Sequence, residues 1–167
     1  TGDNYTDPPT ENSDAILAMD RKTGRIVWTR QLTSNDVYSG RCTFDPSACG
    51  PDFDFGSSPI LVRASNGKAL LLAGQKSGIV WALDPNHKGA VVWQTRVGVG
   101  GTNGGVQCGM ATDGQSVFAT VSDIKRSPNR DITDPRRATL DPTVGGGLTA
   151  LRVVDDSKIW HVAGTPC

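Results

Sequence analysis

The sequence predicts an all-β fold of four-stranded antiparallel blades, about two and a half blades of a β-propeller. Two observations carry that prediction: a hairpin that recurs with a tryptophan in it, and punctuation that leaves room only for short strands. Three segments align, AILAMDRKTGRIVWTR at 15–30, GIVWALDPNHKGAVVWQTR at 78–96 and GGLTALRVVDDSKIWHV at 146–162. Each reads as an alternating strand, a tight turn with Asp and Gly or Ser, and a second strand carrying Trp. Trp28, Trp93 and Trp160 recur at intervals of 65 and 67 residues, and a near-constant interval is the mark of a repeat architecture. Gly (20) and Pro (10) together are 30 of the 167 residues, which suits many short strands separated by turns better than helices.

Taken in order, residues 15–30 give the last two strands of a half blade within 1–35. Strands at 58–64 and 69–74 precede the second hairpin, completing a blade at 54–97. Strands at 106–111 and 116–122 precede the third, completing a blade at 103–163. With strands lettered a to d, each Trp falls on strand d, where it would wedge between neighbouring blades. The turns RKTGR and PNHKG supply the Gly that a tight hairpin needs. A free-standing sandwich of ten short strands is the alternative, and it leaves the Trp spacing unexplained. Two and a half blades leave open sheet faces, so the chain is expected to be a piece of a longer propeller.

Seventeen basic residues balance seventeen acidic ones, so no basic face invites nucleic acid or an anionic membrane. The longest apolar run, 69–73, is far too short to span a bilayer, and no transmembrane segment is expected. The chain starts TGDN, with no Met or apolar leader. Four cysteines, Cys42, Cys49, Cys108 and Cys167, form no CxxC or CxxCH, so neither a zinc ribbon nor a c-type haem site is written in this stretch. Cys42 and Cys49 share the polar loop RCTFDPSAC. They could close a short disulfide ring, which would imply an oxidising compartment, or stand as two free thiols.

The repeat A-x-D-x-x-T-G-x-x-x-W, from Ala18 through Asp20, Thr23 and Gly24 to Trp28, resembles the tryptophan-docking motif of quinoprotein alcohol dehydrogenases. These are eight-bladed propellers that carry pyrroloquinoline quinone (PQQ) and Ca²⁺. TGDNYTDPPTENSDAI, GPDFDFGSSPIL, LLLAGQKSGIVWALD and GGVQCGMATDG look closer still to the polyvinyl alcohol dehydrogenase branch of that family, and together they cover nearly the whole chain.

The resemblance implies roles at three positions. Asn4, with Asp3 as the rival register, matches a calcium-binding Asn that also borders the cofactor. Asp54 in FDFG matches the catalytic Asp, which also faces the metal. Lys76 in QKSG matches the basic residue on the quinone. The strand pattern puts all three on one face: Asn4 and Lys76 in b–c loops, Asp54 in a d–a connection. Long loops sharing that face, Cys42–Cys49 and the insertion 123–145, mark it as the binding side. In the implied chemistry Asp54 is the base for the substrate hydroxyl and PQQ the electron acceptor. Ca²⁺ is the Lewis acid, and Lys76 steadies the charge that builds on the quinone.

The implied function is oxidation of secondary alcohols, polyvinyl alcohol among them, in the periplasm or outside the cell. Electrons would pass to a c-type cytochrome, with any haem c bound outside this stretch. The 167-residue stretch alone is expected to be inactive and to bind PQQ poorly. The rival function is a non-catalytic PQQ-like propeller serving as a binding or assembly scaffold, which has no reason to gather Asn4, Asp54 and Lys76. A calcium-binding or lectin-like propeller ranks third.

Each site residue also has a plain reading: Asn4 as an Asx turn, Asp54 as a solvated loop carboxylate beside Asp52, Lys76 as a turn lysine. His87 in the c–d turn is expected in solvent, and His161 on a d strand is expected as a packed or edge residue. Lys125, Arg126, Arg136 and Arg137 are offset by Asp123, Asp131, Asp134 and Asp141 in a mixed loop. Cys108 stands where the family carries an aromatic residue, usually Trp. Cys167 is expected to pair downstream of this stretch.

Overall fold

The computed structural model describes residues 1–124, 126–127, 139–141 and 145–164. A hairpin of β1 (Ala15–Met19) and β2 (Ile26–Gln31) comes first. A four-stranded antiparallel meander follows, β3 (Ile60–Arg63), β4 (Ala69–Gly74), β5 (Ile79–Asp84) and β6 (Ala90–Arg96), in that spatial order. The second meander runs β7 (Met110–Thr112), β8 (Ser116–Val121), β11 (Gly147–Arg152) and β12 (Lys158–Ala163). A two-residue ribbon, β9 (Arg126–Ser127) with β10 (Thr139–Leu140), interrupts it between β8 and β11. The fold is all-β, in the four-stranded units that the repeat predicts. Among the described residues, no helix is long and apolar enough to cross a membrane.

The repeat holds to the level of single residue pairs. Ala18 faces Trp28, Ala82 faces Trp93 and Ala150 faces Trp160, and each pairing is followed at once by a register shift. A small residue opposite the indole leaves it room, and the shift adds the local twist that a bulge brings.

Two expected strands begin later than the pattern suggests. The first starts at Ile60, because Pro59 has no N–H to give the ladder. The other is Met110–Thr112, because Gly109 sits at φ +106°, outside extended geometry. Most of the insertion 123–145, with Lys125, Asp131, Asp134, Arg136 and Arg137, lies outside the described residues, as does Cys167.

The core lies between layers, and the β3–β6 sheet is buried on both faces. One face meets the β7–β12 sheet through Leu72, Val80, Ala82, Trp93, Val117, Ala119, Leu151 and Val153. The other meets the β1–β2 hairpin through Ala73, Trp81 and Leu83 against Ile16, Trp28 and Leu32. Burial on both faces explains why β4 and β5 read as unbroken apolar runs, ALLLAG and IVWALD, instead of alternating. Trp93 and Trp28 tie one unit to the next. Trp93 Nε1 donates to Val153 O at 3.0 Å, and Trp28 lies over Gly89, where a Cβ would come within 2.8 Å of Cζ3. Trp160 packs on Phe118 with centroids 5.9 Å apart and is 39% exposed.

One backbone pattern positions the site. Before each sheet the chain hooks onto the preceding unit, Phe55 N to Thr1 O at 3.2 Å and Val106 N to Gln75 O at 3.0 Å. The end of each second strand then bonds back to that lead-in, Lys76 N to Asp54 O at 3.0 Å and Ser122 N to Gly105 O at 2.9 Å. Asp54 and Lys76 thus occupy the same backbone positions as Gly105 and Ser122 one unit on. The scaffold repeats while the charged pair does not.

Candidate active site

Asp54 lies in the extended lead-in to β3 and Lys76 just past the end of β4. Their backbone bond sets the two side chains on the same side. Lys76 Nζ reaches Asp54 Oδ2 at 2.5 Å and Asp52 Oδ1 at 2.7 Å, with side-chain exposures of 14% for the lysine, 19% for Asp54 and 6% for Asp52. One ammonium is therefore shared by two carboxylates two residues apart. Phe53 alone separates the two acids, and both side chains turn to the same ammonium. Asp52 holds φ +60°, a left-handed conformation that Asp tolerates better than most residues.

Asp3 is the third carboxylate. Its backbone N–H donates to Asp54 Oδ1 at 2.7 Å, and one oxygen each from Asp3, Asp52 and Asp54 lie within 4.8 Å of one another. Asp3 Oδ2 is buried and has no hydrogen-bond partner among the described residues. Asn4 is placed differently. Its Oδ1 accepts from Thr10 N at 2.8 Å and Thr10 Oγ1 at 3.1 Å, closing its own loop, while its backbone bridges to Val37 and its carbonyl accepts from Tyr38 N. The structure thus brings Asp54 and Lys76 together and offers Asp3, the rival register, as the neighbouring oxygen donor. Sequence reasoning gave Asp52 no role; two acids one residue apart beside the FDFG motif were the available signal.

The electrostatics follow from burial and from this sharing. Burial alone would raise Asp54, but hydrogen bonds from Lys76 and Asp3 outweigh it and hold the carboxyl below its ordinary range. Asp52 is pushed up to about 7, first by burial and also by the charge of Asp54, against the pull of Lys76. Asp3 rises to about 6, by burial and then by its contact with Asp54. Burial would lower Lys76, but Asp52 and Asp54 outweigh it and raise it. Three acids facing one base leave the cluster short of positive charge, with Asp54 the carboxylate that stays ionised.

Two buried acids flank the cluster. Asp36, fully buried, accepts from Asp52 N at 3.0 Å and Phe53 N at 2.8 Å. Asp14, also fully buried, has no partner on either oxygen among the described residues and is pushed up to about 7 by burial and by the charges of Asp36, Asp54 and Asp3. Cys42 and Cys49 are disulfide-bonded with Cα atoms 5.9 Å apart. Cys108 is a free, exposed thiol. His87 is exposed and pairs with Asp84 at 2.7 Å. His161, on the exposed strand β12, meets Thr149 Oγ1 at 2.9 Å.

No family model matches the chain. It is 41% identical over 173 aligned residues to the polyvinylalcohol dehydrogenase of Sphingopyxis sp. (strain 113P3), in an alignment that takes in 99% of the chain and 25% of that protein. It is 38% identical over 172 residues to the polyvinylalcohol dehydrogenase of a Pseudomonas sp, taking in 100% of the chain and 25% of the relative. The chain is thus homologous to polyvinyl alcohol dehydrogenases along its length, and it spans about a quarter of the curated relatives it matches.

Proposed function

We propose that this chain forms part of the active site of a PQQ- and calcium-dependent alcohol dehydrogenase that oxidises secondary alcohols, polyvinyl alcohol included. It would work in the periplasm or outside the cell and pass electrons to a c-type cytochrome. The observation that carries the reading is the sharing of Lys76 between Asp52 and Asp54 beside the unpartnered Asp3 oxygen, in a chain homologous to polyvinyl alcohol dehydrogenases.

The residues present fit a hard dication. Asp3, Asp52 and Asp54 supply clustered carboxylate oxygens, the donors that Ca²⁺ prefers. Asp3 Oδ2 is buried with no donor to satisfy it, a costly state that a cation would relieve. Asp3 and Asp54 would hold the metal, while Lys76 keeps Asp52 engaged. When bound, the quinone takes up the two electrons and the carbinol hydrogen, and calcium polarises it. Asp54, kept ionised by Lys76, is the base that takes the substrate's hydroxyl proton. An ammonium has three N–H donors; two of Lys76's go to Asp52 and Asp54, and the third would reach a quinone oxygen, where it would steady developing negative charge. The Cys42–Cys49 disulfide supports an oxidising compartment.

The test is dye-coupled oxidation of secondary alcohols and of polyvinyl alcohol by the full-length protein, reconstituted with PQQ and Ca²⁺. The expected result is turnover that needs both. A protein that neither binds PQQ nor oxidises an alcohol would overturn the reading in favour of a non-catalytic scaffold.

A further inference from the structure

We propose that Asp36 is the positioning residue of this site: its buried carboxylate holds the Asp52–Phe53 backbone so that Asp52 and Asp54 meet Lys76. The proposal rests on the reading of Asp54 and Lys76 given above and adds a residue that touches neither substrate nor cofactor.

The chain leaves the β1–β2 hairpin, reaches Asp36, makes an excursion over residues 37–51 and returns at Asp52. Asp36 fastens the return at Asp52 and Phe53. Asp36 is 0% exposed, and its two oxygens accept from two successive N–H groups, Oδ1 from Asp52 and Oδ2 from Phe53. A carboxylate accepting N–H groups away from water makes charge-assisted bonds roughly twice as strong as neutral ones. They fasten the one place in the lead-in where a non-glycine residue takes left-handed geometry, Asp52 at φ +60°, a conformation that persists only when its surroundings over-determine it. Two residues further on is Asp54.

The packing around Asp36 leaves it no other position. Gly50 N bonds to Val37 O at 2.9 Å, and a Cβ at Gly50 would overlap Asp36 Oδ1 and crowd its Cα. The returning strand therefore passes directly against the carboxylate, which only glycine permits. The Cys42–Cys49 bond closes a ring inside the excursion, but both Asp36 bonds lie outside that ring. The disulfide shortens the free loop; Asp36 sets where the loop ends.

Were Asp36 only a structural acceptor, its loss would lower stability and leave the Asp52–Lys76–Asp54 group unchanged in the folded protein. As a positioning residue it affects that group directly. The test compares Asp36→Ala, which removes both acceptors, with Asp36→Asn, which keeps one, and with Cys42→Ser/Cys49→Ser, all in the full-length protein. The first readout is the rate at which acetic anhydride acylates Lys76, followed by peptide mass spectrometry against exposed Lys22, and it needs no enzymatic activity. Asp36→Ala is expected to raise Lys76 labelling about 10-fold, in the range that loss of an orienting partner costs elsewhere. Asp36→Asn should show a smaller rise, and the disulfide variant none.

The second readout is kinetic: kcat should fall with KM little changed, and the acid limb of the pH profile should move up as Asp54 loses Lys76. Unchanged labelling in a folded Asp36→Ala protein overturns the proposal, or in Asp36→Asn should the alanine variant not fold. So does a labelling change in the disulfide variant alone. If the wild-type protein oxidises no alcohol, the functional reading fails by itself, and the labelling still decides the role of Asp36.

Discussion

Trp93 on β6 donates its indole N–H to the carbonyl of Val153, across sixty residues of sequence and from one sheet to the next, at 3.0 Å. Both residues are buried, Val153 to 1% exposure. The bond forms where β11 turns toward β12, in the sheet that stacks on β3–β6. Trp93 thus has a specific task beyond filling volume: it satisfies a carbonyl that the neighbouring sheet's turn would otherwise leave buried and unpaired.

Replacing Trp93 by Phe keeps most of the apolar contact and orphans that carbonyl. The expected loss is about 1–2 kcal/mol, the cost of one unmet buried group. Trp93→Ala adds a cavity and should lose about 3–5 kcal/mol. Urea unfolding of the two variants measures both. No loss in Trp93→Phe would mean that the hydrogen bond contributes nothing and packing alone joins the sheets.

Lys76 is shared by Asp52 and Asp54, so Lys76→Met should act in opposite directions on two observables. Without metal, it leaves two neighbouring carboxylates uncompensated in a largely buried place, and stability should fall by about 3 kcal/mol. Removing a positive charge beside Asp3, Asp52 and Asp54 should at the same time tighten calcium binding, by about 10-fold or more. Thermal unfolding with and without Ca²⁺, together with titration calorimetry, separates the two effects. A variant that loses stability and also binds calcium more weakly would place the metal away from these carboxylates.

Much of this arrangement was legible in the sequence. The hairpins at 15–30, 78–96 and 146–162 follow from alternation, turn residues and Trp spacing, all local signals. Burial on both faces is visible in the apolar runs of β4 and β5. The Cys42–Cys49 bond was one of two readings of its loop, and Asp54 and Lys76 were placed on one face with Asn4, though not in contact. Asp3 stood only as the rival register to Asn4, and the roles of Asp14, Asp36 and Asp52 were not anticipated. Each depends on where a loop folds back, and at Asp14 (φ +47°) and Asp52 (φ +60°) the backbone takes a left-handed conformation that no hydrophobic period encodes. A buried Asp looks like a surface Asp in sequence; only contacts over long separations, such as Asp36 with Phe53, tell them apart.

Asp14 gives the protein an unusual pH dependence. Its pKa rises from the ordinary carboxylate value to about 7 in the folded state, so the folded protein holds this proton more tightly than the unfolded chain does. Between about pH 4 and pH 7 the native state then binds more protons, and stability falls as pH rises. Asp14→Asn removes this group's share of the penalty, and Asn tolerates φ +47° at least as well. The variant should match the wild type near pH 4 and exceed it above pH 7, with the difference in urea midpoint growing across that window. A pH-independent difference would mean that Asp14 ionises normally, through a partner on its two oxygens.

Asp54→Asn tests the chemistry most directly. The amide keeps the size of the side chain and one oxygen to accept from Asp3 N, so the lead-in to β3 should hold its path. What it loses is the ability to take a proton, because a neutral carboxamide is no base near neutral pH. Turnover of a secondary alcohol should fall about 10³-fold, within the range for removing a general base, with PQQ content nearly unchanged. Absorbance of the reconstituted full-length protein gives the cofactor content, and dye reduction gives the rate. Loss of PQQ in parallel with activity would assign Asp54 to holding the cofactor. Retained cofactor with lost turnover leaves proton removal as its task, and Lys76, still facing Asp52, would then keep its own ion pair in the inactive variant.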